Sequence, residues 1–210
     1  VSTIPSEAAA WLDRLSVSRV SRSRLELYVD LLLSWQAKIN LIGPATAQSV
    51  WERHILDSLQ LLPLLPRNTA QIAELGSGAG IPGLVIAIAA GLEVHLYESN
   101  GKKAAFLREA ARQTGTKAHV YMVRLETLKA DPSIPKVDCV VARALAPLPL
   151  LLDYAEPFLS RGAVGLFHKG QDVDAELTEA TKYWKMNFSK HASLFDSRGV
   201  ILEIHEATRV

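Results

Sequence analysis

The chain has 210 residues, enough for one domain or for one domain with a helical appendage. With 49% apolar and 21% charged residues it can fill a large core, which excludes disordered, collagen-like and low-complexity scaffolds. Its 23 Lys and Arg against 22 Asp and Glu leave a net charge of +1, so any nucleic-acid contact must rest on a local patch. The single cysteine, Cys139, cannot close an internal disulfide and rules out a cysteine-rich zinc module. The N-terminal Val1-Ser2-Thr3-Ile4-Pro5 has no secretion signature. The longest apolar run, Ile81 to Leu92, is broken by proline and glycine and falls short of the ~20 residues that span a bilayer. A soluble, cytoplasmic protein without a membrane partner is expected.

In chain order, Leu25, Tyr28, Val29, Leu32, Trp35 and Ile39 recur at three- and four-residue steps, predicting a helix that Gly43-Pro44 stops. A second helical stretch is expected over 47–65, carrying Val50, Trp51, Ile55, Leu59 and Leu62 and ended by Pro63 and Pro66. From about residue 70 short apolar runs alternate with helical patterns, the mark of βαβ units. Strands are predicted over 71–75, 93–97, 118–123, 137–142 and 163–168, with helices over 82–90, 102–114 and 148–159. Two β-rich stretches, 187–195 and 200–207, are joined by Asp196-Ser197-Arg198-Gly199 and read as a hairpin. The predicted class is α/β: a parallel Rossmann-like sheet closed by a terminal antiparallel hairpin, the outline of a class I methyltransferase. Residues 1–69 are read as an N-terminal helical extension and 70–210 as the methyltransferase domain.

Glu74-Leu75-Gly76-Ser77-Gly78-Ala79-Gly80-Ile81-Pro82-Gly83 leaves a strand and opens a helix. Glycines at alternate positions let backbone turn sharply beneath a bound nucleoside. The spacing of Gly78, Gly80 and Gly83 fits a dinucleotide loop, in which a helix N-terminus faces a pyrophosphate. The acid at the strand end, Glu74, suits a cofactor carrying an ammonium and a sulfonium better than a pyrophosphate, and so favours S-adenosylmethionine. Glu98, which follows the next strand, can accept both ribose hydroxyls in either cofactor class. At the third strand end, Arg124-Leu125-Glu126 offers a backbone N–H and a carboxylate to an adenine edge.

Several chemistries are excluded. After the fourth strand stands Val141-Ala142-Arg143-Ala144-Leu145-Ala146-Pro147, without the Asn/Asp-Pro-Pro-aromatic signature of amino-group methylation. Cys139 sits mid-strand with no basic neighbour and is expected to be a buried small hydrophobe, not a nucleophile. No two of the six histidines lie at the three-to-five-residue spacing of a metal site, so no metal is expected. The four tryptophans read as packing residues, and Arg14, Arg19, Arg22 and Arg24 as a solvated helix face.

Separated segments, taken in order, resemble the glucose-inhibited division protein B family. They are Asn40-Leu41, Arg53-His54-Ile55-Leu56-Asp57-Ser58, the 74–83 loop, Glu98-Ser99 with Lys102-Lys103 and Phe106-Leu107, Arg124-Leu125-Glu126, Ala142-Arg143-Ala144 and Lys169-Gly170. The resemblance runs from about residue 20 to 205. It implies a bacterial enzyme that uses S-adenosylmethionine to make 7-methylguanosine in small-subunit (16S) ribosomal RNA. It also implies cofactor contacts at Gly76, Ser77, Gly78, Ile81, Glu98, Leu125, Glu126 and Arg143, and RNA contacts at Arg53, His54 and Lys169. Ile81 stands where Phe or Leu is usual, Leu125 where a smaller or β-branched residue is common, and Asn100-Gly101 in a segment that usually carries a charge. Guanine N7 bears a lone pair and no proton, so no catalytic base is expected; orientation would supply the acceleration.

The expected partner is RNA within a ribosomal particle, not DNA, and the expected state a monomer. Read from residues alone, His54 and Asp57 equally suit hydrogen bonds that fix the N-terminal helices to the core. Methylation of another RNA or of a small molecule stays open, as does an NAD-dependent oxidoreductase that uses the Gly78-Gly80-Gly83 spacing on a pyrophosphate.

Overall fold

In the computed structural model, which describes residues 3–210, apolar runs too short for helices pair into one seven-stranded sheet. The strands are β1 (Gln71–Leu75), β2 (Glu93–Tyr97), β3 (Ala118–Tyr121), β4 (Cys139–Arg143), β5 (Val164–Lys169), β6 (Trp184–Ala192) and β7 (Val200–Arg209). They lie in the order β3-β2-β1-β4-β5-β7-β6, with β1 to β5 parallel and β7 antiparallel to both neighbours. The expected terminal hairpin is therefore present, with its second strand inserted against β5. Strand order reverses between β1 and β4, which opens a crevice at their carboxyl ends.

Each face of the sheet is covered by a different part of the chain. On one side lie α1 (Ser6–Arg14), α2 (Arg19–Gln36), α4 (Gly83–Ala90) and α5 (Gly101–Thr114); on the other lie α6 (Leu148–Leu159) and α7 (Val173–Ala180). Every residue of α4 except Ala90 is buried, because the helix is pressed between the sheet and α2. Residues Ala8 to Leu61 join Ile72, Val94 and Val141 in one continuous apolar core, so the N-terminal segment packs directly on the sheet. Tyr28 of α2, fully buried, donates its hydroxyl to the Ala79 carbonyl at 2.7 Å and so reaches the glycine loop itself. Among the described residues no helix is long and apolar enough to cross a membrane.

The second helical stretch is not one helix. It runs as a 3-10 turn (Pro44–Ser49), a π-helical turn (Trp51–Leu56), one α-helical turn (α3, Asp57–Leu59) and a second 3-10 turn (Leu62–Leu64). Prolines at 44 and 63 set the two ends, and the Asp57 N–H bonds the Glu52 carbonyl five residues back. The preceding helix ends at Gln36, earlier than the apolar pattern predicts. The Gln36 amide then accepts from the N–H groups of Leu41 and Ile42 at 2.8 and 2.9 Å and closes the turn. The atypical Asn100 is an N-cap, accepting from Lys102 and Lys103 N–H at 3.0 and 3.2 Å. Replacing Tyr28 by Phe would leave the buried Ala79 carbonyl unsatisfied. Urea unfolding should show a loss of about 1–3 kcal/mol, and an unchanged midpoint would refute the anchoring role of this hydroxyl.

Candidate functional site

The glycine loop lies at the crevice, and two carboxylates hold its shape. Glu74, 1% exposed and next to last in β1, lies beneath the loop and accepts the Gly83 N–H at 2.7 Å. A Cβ on Gly83 would fall 2.7 Å from the Cβ of Glu74, so glycine is required for this approach. Gly76 turns the chain at φ +63°, where L side chains are strained. Glu98, after β2, takes the Gly78 N–H at 2.8 Å on one oxygen and the Asn100 N–H at 2.7 Å on the other. The buried Ser77 donates its hydroxyl to the Glu74 carbonyl at 3.1 Å. Glu74 thus departs from its sequence reading as a carboxylate facing a cationic cofactor: it is turned onto the loop's own backbone. Burial pushes its carboxyl up to about 8, outweighing the Gly83 N–H.

Two cavities meet at Gly76. One, about 290 Å³, is lined by Tyr97, Glu98, Leu125, Glu126, Leu145 and Leu150 among others. The other, about 340 Å³, is lined by Leu41, Ile42, His54, Ser77, Gly78, Ile81, Lys103 and Arg143 among others. Between them they collect all eight residues expected at a cofactor. Arg143 and Ala144 also line a third cavity of about 210 Å³ with Asp57, His168 and Lys169. Ala144 itself sits at φ +50°, a strained position for a side-chain-bearing residue. A larger cavity, about 560 Å³, lies between α1 and the β6–β7 turn and touches none of these groups.

Arg143, at the end of β4, is the centre of a polar network. Its guanidinium donates to the Arg53 carbonyl at 3.0 Å and to His54 Nδ1 at 3.2 Å, and it pairs with Asp57 Oδ2 at 3.2 Å. Arginine has no acceptor, so His54 Nδ1 offers a lone pair and the ring proton sits on Nε2. That proton goes to Thr46 Oγ1 at 2.8 Å, whose own hydrogen goes to the Gly43 carbonyl at 2.8 Å. Burial, then the charges of Arg143 and Arg53, holds the His54 imidazole down to about 4. Asp57 is held in turn: Gln60 Nε2 donates to its Oδ1 at 2.7 Å, and His168 Nε2 donates to its carbonyl at 3.0 Å. Gln60 also ties to Ser193 and Leu194 in the β6–β7 turn.

A family model described as rRNA small subunit methyltransferase G matches residues 21–201. The chain belongs to that family. It is 50% identical over 205 residues to "Ribosomal RNA small subunit methyltransferase G" of Bradyrhizobium sp. (strain ORS 278), covering 96% of this chain and 91% of the relative. To the protein of the same name in Rhodospirillum rubrum it is 52% identical over 193 residues, covering 92% and 94%. Among solved structures, the fibrillarin/Nop5p complex matches with TM-score 0.57 at 14% identity, over 74% of this chain and 82% of that one. The ribosomal protein L11 methylase of Lactobacillus delbrueckii subsp. bulgaricus matches with TM-score 0.54 at 17% identity, over 73% and 78%. These likenesses bear out the class I methyltransferase fold and the resemblance carried by the sequence.

In this family member the three residues expected at RNA differ in what they touch. Arg53, about one-third exposed, bonds the Phe195 carbonyl at 3.0 Å and Asp196 at 3.2 Å. His54 is buried and engaged at both nitrogens. The Lys169 side chain, 8% exposed, donates to the Ala146 carbonyl at 3.0 Å and pairs with Glu176 at 2.5 Å. The alternative of hydrogen bonds that fix the N-terminal segment therefore describes His54 and Asp57. Thr46 was not legible in sequence, since nothing local marks a threonine as the acceptor for a histidine eight positions on. Burial pushes the Cys139 thiol up, consistent with an inert core residue.

The Glu74 carboxyl keeps its proton in the fold up to about pH 8, whereas the unfolded carboxyl ionises near 4.5. Its contribution to stability is therefore full below pH 4.5 and is lost as pH rises through about 8. Glu74→Gln keeps an acceptor for Gly83 without the ionisation, and should flatten the fall of melting temperature across this window. An unchanged slope would show that Glu74 is not the group responsible.

Proposed function

We propose that this chain methylates a guanine at N7 in small-subunit ribosomal RNA, with S-adenosylmethionine as donor. The observation that carries the reading is the pair of cavities meeting at Gly76, with Arg143 in the second. The residues fit such a donor. Glu98 would exchange its bonds to Gly78 and Asn100 for the two ribose hydroxyls, and Leu125, Leu145 and Leu150 give an apolar slot for adenine beside Glu126. Gly76, Ser77, Gly78 and Ile81 would line the amino-acid half, with Arg143 beyond them. The donor supplies an electrophilic methyl on a sulfonium.

The dinucleotide reading loses its main support. A pyrophosphate would need free N–H groups at the start of α4, and Gly83 N–H is already held by Glu74. Both β7 pairings are antiparallel besides, unlike a dinucleotide-binding sheet.

The acceptor nitrogen carries no proton, so the chain's own groups need only position it. The lone pair of His54 is turned to Arg143, and His168 donates its Nε2–H to the Asp57 carbonyl, which leaves its lone pair on a buried Nδ1 shut away from the cavity. Arg143 would hold donor or guanine with the N–H groups that Asp57, His54 and the Arg53 carbonyl leave over, remaining charged throughout. Arg53 is proposed to meet RNA directly, and His54 and Lys169 to act through the wall they hold in place. A net charge of +1 gives little grip on bare RNA, which favours a folded ribosomal particle as substrate, met by a monomer in the cytoplasm.

The test is transfer of labelled methyl to small ribosomal subunits that lack the modification, followed by nucleoside mass spectrometry, with protein-free RNA in parallel. Label in 7-methylguanosine on the particle is expected. Label elsewhere, or none while S-adenosylhomocysteine still binds, would overturn the acceptor and keep the fold. Arg143→Lys keeps the charge but loses the planar fork that serves Asp57, His54 and Arg53 together. Its kcat/KM should fall by about 10²-fold, and near-normal turnover would show that the charge alone suffices.

A further inference from the structure

At the opposite end of the strands from the glycine loop, β2 and β3 carry a second group of polar side chains on one sheet face. Glu93 and His95 are two apart on β2 and so point the same way, and His119 on β3 stands directly across from His95. One ligand atom from each of Glu93, His95 and His119 lies within 4.8 Å of the others. Such a set escapes a search for paired histidines at helical spacing, because a sheet brings ligands together two apart and across strands. β3 is followed by a 3-10 turn, Leu125–Ala130, in place of a helix, and His119 is left largely exposed.

We propose that Glu93, His95 and His119 form a binding site for a divalent transition-metal ion of the zinc class. Two imidazoles and one carboxylate are the donor types such ions take. His119 Nε2 already lies 2.7 Å from Glu93 Oε1. His95 has a partner at each nitrogen, Gln71 Oε1 at 3.1 Å on Nε2 and the Tyr121 hydroxyl at 3.1 Å on Nδ1. With the ion on Nε2, the ring proton moves to Nδ1 and is donated to the Tyr121 hydroxyl, the outer bond that orients a ligating histidine. Gln71 Oε1, beside that nitrogen, is then free to be the fourth donor. Burial favours the neutral imidazole of His95, the form a ligand needs. The Lys117 ammonium lies on Glu93, a mobile cation of the same sign as the ion and its direct competitor. The His95 and His119 rings are stacked, with centroids 4.9 Å apart, so a turn of the exposed His119 ring completes the convergence. Bound there, the ion would clip the edge strand β3 to β2.

The test uses tag-free full chain, dialysed against chelator and titrated with zinc chloride by calorimetry. One ion per chain is expected. His119→Ala should weaken binding at least about tenfold, and Lys117→Met should tighten it several-fold by freeing the carboxylate. His191→Ala removes a histidine from a separate pair with Glu203 in the hairpin and should change nothing. Zinc should raise the melting temperature of the wild-type chain and of Lys117→Met but not of His119→Ala, a readout independent of methyl transfer. No binding, or binding unmoved by His119→Ala or abolished by His191→Ala, would overturn the site. A Lys117→Met chain that binds no more tightly would remove Glu93 from the ligand set.

Discussion

The buried pairing of Arg143 with Asp57 is the contact on which the rest of the site depends. A guanidinium at the end of a central strand cannot shed its charge, and removing its carboxylate from a poorly solvated place costs about 3–5 kcal/mol. Because arginine only donates, its second contact dictates which nitrogen of His54 bears hydrogen, and that choice passes outward to Thr46 and the Gly43 carbonyl. On the other side, Asp57 fixes Gln60, and Gln60 fixes the β6–β7 turn. Three segments far apart in sequence are thereby registered around one cation. The helical N-terminal residues are a wall of the site as well as packing for the sheet.

A similar logic holds the glycine loop. Its two acids come from the ends of adjacent strands and approach from different directions, Glu74 from below and Glu98 from the side, and both accept backbone N–H groups. The two are not equivalent. Glu74 is sealed in with the helix it caps, whereas Glu98 lines a cavity and has bonds that a diol could replace. One carboxylate builds the cradle, and the other is left where a nucleoside would lie.

How much of this was legible in sequence follows from how local each feature is. The strand over 71–75, the strand over 93–97 and the helix over 148–159 lie where the pattern predicts, since short apolar runs and helical periodicity are properties of neighbouring residues. The glycine loop stands where its motif places it, and the eight residues expected at a cofactor from motif and resemblance line the two cavities that meet at Gly76. What escaped depends on partners remote in the chain. Asp57 becomes the counter-ion of a residue 86 positions on only after the N-terminal segment has folded against β4. The carboxyl of Glu74 could be placed at the strand end but not aimed, because its direction is set by the approach of Gly83. Helices α1 and α7 lie outside the predicted elements, and the break-up of 47–65 is hidden by an apolar spacing that suits several kinds of helical turn.

That broken stretch has a consequence for how the chain can change over generations. The π-helical turn at Trp51–Leu56 holds one more residue than an α-helical turn of the same reach, and such bulges gather at functional sites. Each residue added to or removed from a helix rotates everything after it by about 100°. Adding or losing a residue here would therefore change which side chains of 51–56 face Arg143 and which face the core. Most of 51–56 is already committed, Trp51, Ile55 and Leu56 to the core and Arg53 and His54 to the network around Arg143 and the β6–β7 turn. The segment is therefore constrained in its length as well as in its composition.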